Sequence, residues 1–241
     1  MATSNLIYTF GRLYGDAGEY IGVGRDPTGT TLTAIKRRVN DAYRIFLDAY
    51  DWSFKKHSAV LTTQSDKWFY ELPADFLSLS MPFKYPADSS WINPTEIDES
   101  TLMSLRTGSG DTTGRPYLYA IRARPFSKEE GTRWEVLFHY TPSSNYDFIF
   151  SYRIATEELV GDNDVPIGAS DCAALIRAYC LAEAEAFDEE KPSTYTAKIP
   201  GLLAAAIKND SKRRPRSVGS YNANIHGYER RETVTYEDVQ Y

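Results

Sequence analysis

The central part of the chain limits the fold most strongly. Between residues 57 and 154 the sequence consists of short runs of β-branched and aromatic residues separated by Pro, Gly, Asn and Asp. Runs of this kind predict β-strands. The predicted strands are SAVLTT (58–63), KWFYEL (67–72), LSLSMPFKY (77–85), RPYLYAIRA (115–123), TRWEVLFHY (132–140) and YDFIFSYRI (146–154). Because they form one block, we expect an antiparallel sheet or sandwich.

The last two predicted strands alternate cleanly between two faces. One face of the first holds Trp134, Val136, Phe138 and Tyr140, and one face of the second holds Tyr146, Phe148, Phe150 and Tyr152. This period of two is the pattern of a strand buried on one side. The segment TPSSN between them predicts a hairpin loop. A short helix is predicted earlier in the block, at DESTLMSLR (98–106).

Helical periodicity appears on both sides of the β-block. Residues 31–52 carry one apolar stripe, with Thr31 as the expected N-cap and with Arg37–Asp41 and Arg44–Asp48 pairs on the other face. These pairs suit a solvated or interfacial face. A second helix is predicted at 169–190 and a third around 199–210. Pro200 either opens this third helix or kinks a longer one that begins near Thr194.

The sequence therefore predicts an α+β protein in which a β-domain is inserted into a helical bundle. Residues 31–56 and 156–211 would form the helical domain, and residues 57–155 the antiparallel β-sheet or sandwich domain. Residues 1–30 are rich in Gly and residues 212–241 lose all periodicity, so we expect both to be extended terminal arms.

Composition narrows the function classes. The 241 residues include 4 Trp, 18 Tyr and 11 Phe but only 3 His and 2 Cys, which favours a binding or structural protein over an enzyme. A net charge of -6 argues against general nucleic-acid binding. No apolar run is long enough to span a bilayer, and the N-terminus lacks the pattern of a signal peptide, so we expect no membrane association and a cytoplasmic site of synthesis.

The histidines and cysteines are the first candidates for catalytic or metal-binding residues, and we favour a structural role for them. His57, His139 and His226 are far apart and accompany no nucleophile motif. Cys172 and Cys180 are eight residues apart on a predicted helix, so we expect reduced core thiols and no metal site.

Carboxylates are the better enzymatic candidates, since paired carboxylates catalyse glycoside hydrolysis. Glu183 and Glu185 point to different sides of a helix. Asp162 and Asp164 in GDNDVP lack the EF-hand spacing and favour a turn. The short glycine-rich segment GVGR (22–25) lacks the preceding strand and the full glycine motif of a phosphate-binding loop. We expect no catalytic residues, no metal and no cofactor.

Two segments resemble the head-to-tail adaptor proteins of tailed bacteriophages, including the tail tubular protein A type. The first is VNDAYRIFLDAYDWSFKKHSAVLTT followed by KWFYELPADFLSLSMPFKY, and the second is YDFIFSYRIATEELVGDNDVPIGASDCAALIRAYCLAEAEAF. Together they span roughly residues 39–190. The resemblance implies a non-enzymatic virion protein at the head–tail interface, which binds as a dodecameric ring beneath the portal. Such a ring extends the DNA channel and offers a platform to the tail or nozzle protein.

The residues also fit that role on physical grounds. Broad aromatic sheets and alanine-faced helices supply lateral interfaces for a homo-oligomeric ring. A negative charge lets DNA pass without sequence-specific binding.

The C-terminal arm provides the expected portal contacts. They are the basic cluster Lys212, Arg213, Arg214 and Arg216 and the aromatic residues Tyr221, Tyr228, Tyr236 and Tyr241. For the basic cluster, neutralisation of the helix end, contact with a protein partner and contact with DNA all remain open.

Two alternative functions remain open from the sequence. One is a carbohydrate-binding or tail-fibre-associated module, in which Trp and Tyr faces stack on sugars. The other is a hydrolase that acts through buried carboxylates.

Overall fold

The structure is a computed structural model, and it describes residues 7–110, 112–187 and 194–213. The helices in these ranges are α1 (Phe10–Tyr20), α2 (Gly29–Asp48), α3 (Glu99–Ser109), α4 (Ala169–Phe187) and α5 (Thr194–Arg213). The strands are β1 (Lys56–Thr62), β2 (Phe69–Glu71), β3 (Phe76–Lys84), β4 (Thr95–Glu96), β5 (Thr113–Gly114), β6 (Leu118–Ala123), β7 (Trp134–Phe138), β8 (Thr141–Pro142) and β9 (Asp147–Ile154). The fold is α+β, as the sequence predicts.

The described residues pack as two compact units. The helical unit contains the described residues of 1–53 and of 159–213, and the β unit contains residues 54–158. Each unit has a core of its own, so each is described by itself below.

The helical unit is built on the apolar stripe of α2. Its buried members are Ile35, Val39, Ala42, Tyr43, Phe46 and Leu47. Phe46 is the centre of this core, with ring centroids 5.0 Å from Trp52 and 6.2 Å from Tyr179 of α4. The helix starts at Gly29 and its N-cap position is Thr28, three residues before the predicted N-cap Thr31.

The interpretation of residues 1–30 as an arm is wrong for the segment that forms α1. Thr9 caps this helix by accepting from Arg12 N, and the helix buries Phe10, Leu13 and Ala17. These three residues lie at helical spacing, but glycines between them weaken the sequence signal, since Gly lowers helix propensity.

The glycines of α1 are explained by close backbone contacts. A Cβ on Gly18 would lie 2.6 Å from the carbonyl oxygen of Gly24, and one on Gly11 would lie 2.9 Å from that of Asp162. Such distances are too short for any side chain. The packing of α1 therefore requires residues that weaken its sequence signal.

The third helix is the longer one that begins at Thr194, and Pro200 lies inside it. The helix runs antiparallel to α4. Its first turn contacts Glu185 near the end of α4, and its last residue contacts Asp171 near the beginning of α4.

The β unit contains three sheets. Their strand orders are β1-β9-β3, β2-β7-β6-β4 and β5-β8. Each of the six predicted strands overlaps an observed one, and α3 confirms the predicted short helix. The main pairings are antiparallel as predicted, but the short pairs β4–β6 and β5–β8 are parallel.

The predicted hairpin between β7 and β9 is wrong. The two strands belong to different sheets, and Thr141 and Pro142 of the supposed loop form β8, which pairs with β5. Phe138 of β7 stacks on Phe148 of β9, with ring centroids 5.0 Å apart and ring planes at 22°. Alternation identifies the buried face of a strand but not its neighbour, and here the two buried faces meet across a sandwich.

Aromatic rings fill the space between the two larger sheets. Phe83 of β3 is central, and its ring centroid lies 4.9 Å from that of Tyr119, 6.4 Å from Phe138 and 4.6 Å from Phe150. The outer face of the β6–β7 pair is covered by α3. Leu102 of this helix forms a buried cluster with Ala120 of β6 and Leu137 of β7. This explains why β7 is buried on both faces.

Candidate interaction surfaces

An exposed group of rings lies at one end of the β unit. The chain enters β1 at Lys56, opposite Arg153 of β9, and the other end of this strand pair joins Thr62 to Asp147. Tyr146 directly precedes that second end. The ring group is therefore at the end of the sheet farthest from the points at which the chain enters and leaves the unit.

We call this group the aromatic end and define it as Tyr85, Trp91, Arg115 and Tyr146. The indole of Trp91 packs edge-on against Tyr85 and Tyr146, with centroids 5.1 and 5.5 Å away. The Arg115 guanidinium carbon lies 5.2 Å from the Trp91 ring centroid. Tyr85 is buried beneath, where it donates to the Pro116 carbonyl at 2.6 Å, and burial raises the pKa of its hydroxyl.

The outer surface of the aromatic end is apolar and accessible. Trp91 is 42% exposed and the adjacent Ile92 81%. The Trp91 ring is packed on the Tyr85 and Tyr146 rings. Exposed apolar groups of this kind mark contact sites in soluble proteins.

The helical unit has a different surface, a groove beside α2. Its volume is about 300 Å³, and its walls are Ala17 and Ile21 of α1, Thr30, Thr31, Ala34, Ile35, Arg38 and Val39 of α2, and Cys180 and Ala184 of α4. The surface continues along α2 over Thr33, Arg37 and Asp41. The exposed Ile45 lies further along this side of α2 and is 47% accessible.

The predicted portal-binding residues fall mostly outside the described residues. Arg214, Arg216, Tyr221, Tyr228, Tyr236 and Tyr241 all lie there. Lys212 and Arg213 end α5, and the Arg213 guanidinium binds both carboxylate oxygens of Asp171, with Nη2 to Oδ1 at 2.7 Å. This bond lowers the pKa of Asp171. Arg213 thus forms an ion pair with α4, while the helix-end, partner and DNA interpretations of the basic cluster stay predictions.

Glu185, one of the two carboxylates that the sequence analysis weighed as a pair, has a structural role. Its carboxylate is buried, 5% exposed, and accepts from the backbone N–H groups of Tyr195 at 2.8 Å and Thr196 at 3.1 Å. The Tyr20 hydroxyl donates to it at 3.1 Å. Burial by itself raises the pKa of Glu185, but these donors outweigh burial and the pKa lies below its ordinary value.

The acidic turn at GDNDVP also has a structural role, as predicted. The carboxylate of Asp164 accepts from Val160 N and Gly161 N at 2.8 and 2.7 Å, which closes the turn. The carbonyls of Asp162 and Asp164 accept from Gly11 N and Phe10 N, each at 2.8 Å. The turn therefore satisfies the free N–H groups at the beginning of α1.

Sequence reasoning missed two polar side chains that fasten the chain inside the helical unit. Asp210, 6% exposed, accepts from the Ser53 backbone N–H at 3.2 Å and from its hydroxyl at 2.5 Å. The Asn40 amide binds both backbone groups of Leu159, each at 3.0 Å. Both lie within predicted helices, but their partners are more than 100 residues away, so no local pattern reveals them.

The histidines and cysteines show no catalytic arrangement in the described part of the chain. His139 is 5% exposed, and burial together with Arg106 lowers its pKa. Cys172 and Cys180 are free and buried, and burial raises their pKa to about 11 and about 12. His226 lies outside the described residues. Among the residues that the structure describes, no group of three or more His, Cys, Asp or Glu side chains could hold a metal ion.

Within the described ranges, no helix is both long and apolar enough to cross a bilayer.

The fold and its surfaces define a class of protein. Two separately packed units present an apolar groove, an aromatic end and a basic helix terminus, and the buried carboxylate of Glu185 holds backbone N–H groups. These are the features of a structural protein that contacts other macromolecules.

The family comparison gives the class a name. The family model described as SU10 adaptor protein matches residues 1–222, and the chain belongs to this family. It is therefore a bacteriophage adaptor protein, a virion component that interacts with other head and tail proteins. No curated protein matches the chain.

Proposed function

We propose that this chain is the head-to-tail adaptor of its phage. It would assemble as a dodecameric ring beneath the portal, extend the DNA channel and present a platform to the tail or nozzle protein. The resemblance to the tail tubular protein A type supports this arrangement, and the SU10 adaptor family is consistent with it.

The observation that carries the proposal is the presence of two contact regions of different chemistry on two separately packed units. The basic end of α5, which leads into residues 214–241, belongs to the helical unit, and the aromatic end belongs to the β unit. A protein that joins a head to a tail needs two independent binding surfaces. We assign the C-terminal segment to the portal and the aromatic end to the tail protein.

The net charge fits a conduit for DNA. At -6 the chain offers little overall attraction to phosphate, so DNA would pass without being held. A basic wall would retain the duplex.

Electron microscopy of the purified protein mixed with the portal of its phage tests this function. Averaging should show a ring stacked coaxially on the portal, with twelve-fold symmetry as the resemblance implies. Free chains beside bare portals would contradict the proposal.

Two variants separate the two contacts. A chain ending at Arg213 keeps the Arg213–Asp171 ion pair and should fold but fail to attach to the portal. An Ile92→Asp chain should attach to the portal but fail to recruit the tail protein. Val60→Asp is the matched control, since Val60 is 61% exposed elsewhere on the β unit. Normal attachment by the shortened chain would overturn the assignment of the C-terminal segment.

One observation favours a second candidate, a carbohydrate-binding module. Trp91 is 42% exposed, and a partly exposed indole is a type of ring on which sugars stack. This function requires that host glycans change the tryptophan fluorescence of the wild-type chain and leave that of Trp91→Ala unchanged. Recruitment of a tail protein by the same surface would exclude it.

A further inference from the structure

The exposed side of α2 has the spacing of a helix-pairing seam. Residues that recur alternately three and four positions apart form one stripe on a helix, and two helices pair through such stripes. On α2 the stripe consists of Thr31, Ala34, Arg38, Asp41, Ile45 and Asp48. All six side chains are exposed or half-buried, whereas the neighbouring stripe, which includes Ile35 and Val39, is packed into the core.

The apolar members of the seam are complementary to each other. Ala34 is a small residue in the wall of the α2 groove, and Ile45 is a large one that stands out at 47% exposure. When two copies of α2 lie antiparallel, with a two-fold axis between Val39 and Asn40, Ile45 of each copy faces Ala34 of the other. Each Ile45 then enters the groove of the second copy.

The polar members match in the same register. Arg38 of one copy faces Asp41 of the other, and the symmetry repeats this pair. Thr31 faces Asp48 at both ends of the contact. The register that seats Ile45 on Ala34 therefore also pairs opposite charges.

We propose that two copies of this chain associate through an antiparallel, two-fold contact between their α2 helices. The inference goes beyond the adaptor role, because it concerns the free chain before it meets any other protein. A two-fold contact uses the same surface on both copies, so it closes at a dimer and does not grow into a chain of subunits.

The contact is a weak one. One helix from each copy buries less surface than a stable dimer requires, and the seam contains exposed charges. We therefore expect association only at high protein concentration and a weakening with added salt, since salt screens exposed charges.

Sedimentation equilibrium of the full chain measures this association, at concentrations up to about 0.5 mM because small interfaces bind weakly. Wild-type protein should approach a dimer. Arg38→Asp places two carboxylates opposite each other in each layer, and Asp41→Arg places two guanidinium groups there. Each variant alone should dimerise at least about tenfold more weakly, because like charges across an interface repel.

An equal mixture of the two variants is the decisive sample. In a heterodimer, the aspartate introduced by Arg38→Asp in one chain would meet the arginine introduced by Asp41→Arg in the other. The second layer would keep a native Arg38 opposite a native Asp41, so both layers would again pair opposite charges and the mixture should regain dimerisation.

The control for this mixture changes charge away from the seam. Lys208→Asp places a carboxylate in place of a cation on the exposed face of α5 and should leave the wild-type dimer unaffected. A monomeric wild type, a larger wild-type assembly, or a mixture no stronger than its components would overturn the proposal.

Cross-linking tests the register without altering any charge. Ala34 and Ile45 are roughly 16 Å apart along a helix at about 1.5 Å per residue. A short bis-maleimide should therefore join Ala34→Cys to Ile45→Cys in a mixture, but should not join either variant to itself. The native Cys172 and Cys180 are 4% and 2% exposed and serve as an internal blank. Cross-linking of Ala34→Cys to itself, or none in the mixture, would rule out this register.

Discussion

Single carboxylates and amides hold the helical unit together at points that apolar packing does not reach. Glu185 is the strongest case, since its buried carboxylate occupies the place of an N-cap at the beginning of α5 and also holds the Tyr20 hydroxyl of α1. A negative charge at this end of a helix is further stabilised by the helix dipole. One side chain on α4 thus links two other helices.

Glu185→Gln should lower the free energy of unfolding by about 1.5–3 kcal/mol at neutral pH, because it removes hydrogen bonds to a charged acceptor. Urea unfolding measures the loss. Glu183→Gln, two residues away on the same helix, is the matched control and should change little.

The same pair of proteins gives a pH test. The pKa of Glu185 is lower in the folded chain than in the unfolded one, so its contribution is complete above the unfolded value of about 4.3 and disappears as pH falls through the folded value. The stability difference between wild type and Glu185→Gln should therefore shrink as the pH falls below the unfolded value. A difference that stays constant from neutral to acid pH would show that the carboxylate is not the stabilising group.

At the scale of elements, the helices α1 and α5 each contain a glycine, but only the glycine of α1 is required by packing. Gly18 of α1 lies where the backbone of Gly24 approaches, whereas Gly201 of α5 is exposed and has open space where a Cβ would be. Both residues weaken a helix to a similar degree in isolation. Only the first has a packing reason to be glycine.

Gly201→Ala should stabilise the chain by about 0.5–1 kcal/mol, since alanine restricts the unfolded chain and fits the helix. Gly18→Ala should destabilise it by about 1–3 kcal/mol, because the added Cβ must displace backbone. Urea midpoints of the two variants against wild type measure both effects. Equal effects of the same sign would contradict the docking of α1 against the turn at Gly24.

The whole molecule consists of two units with separate cores. The rings of Tyr119 and Phe150, which pack on Phe83, come from residues 54–158, and the rings of Trp52 and Tyr179, which pack on Phe46, come from the helical unit. A unit that supplies its own core needs no other part of the chain to exclude water from it. The β unit is continuous in sequence, whereas the helical unit is made of two segments.

Residues 54–158 expressed alone should fold. The fragment should show dispersed amide resonances and one cooperative thermal transition. Phe83→Ala in the same fragment should cost about 3–5 kcal/mol, the range for removing a buried phenylalanine, and should abolish the transition or lower its midpoint strongly. A wild-type fragment without a cooperative transition would show that the sandwich depends on the helical unit.

The sequence by itself determined those elements in which buried apolar and exposed polar side chains alternate with a regular period. The apolar stripe of α2, the alternation of β9 and the aromatic runs of the sandwich can all be recognised from local periodicity. The reason is that the apolar residues of each element must lie on the side that faces away from water, whatever its neighbours are. Tertiary structure alone decided which elements meet. It placed β7 and β9 face to face in different sheets, made a helix of the glycine-rich α1, and brought Glu185 to α5 and Asp210 to Ser53. These contacts join residues that are far apart in the sequence. The local pattern around one residue does not reveal its partner, since a close backbone approach or a buried hydrogen bond depends on both of the surfaces that meet.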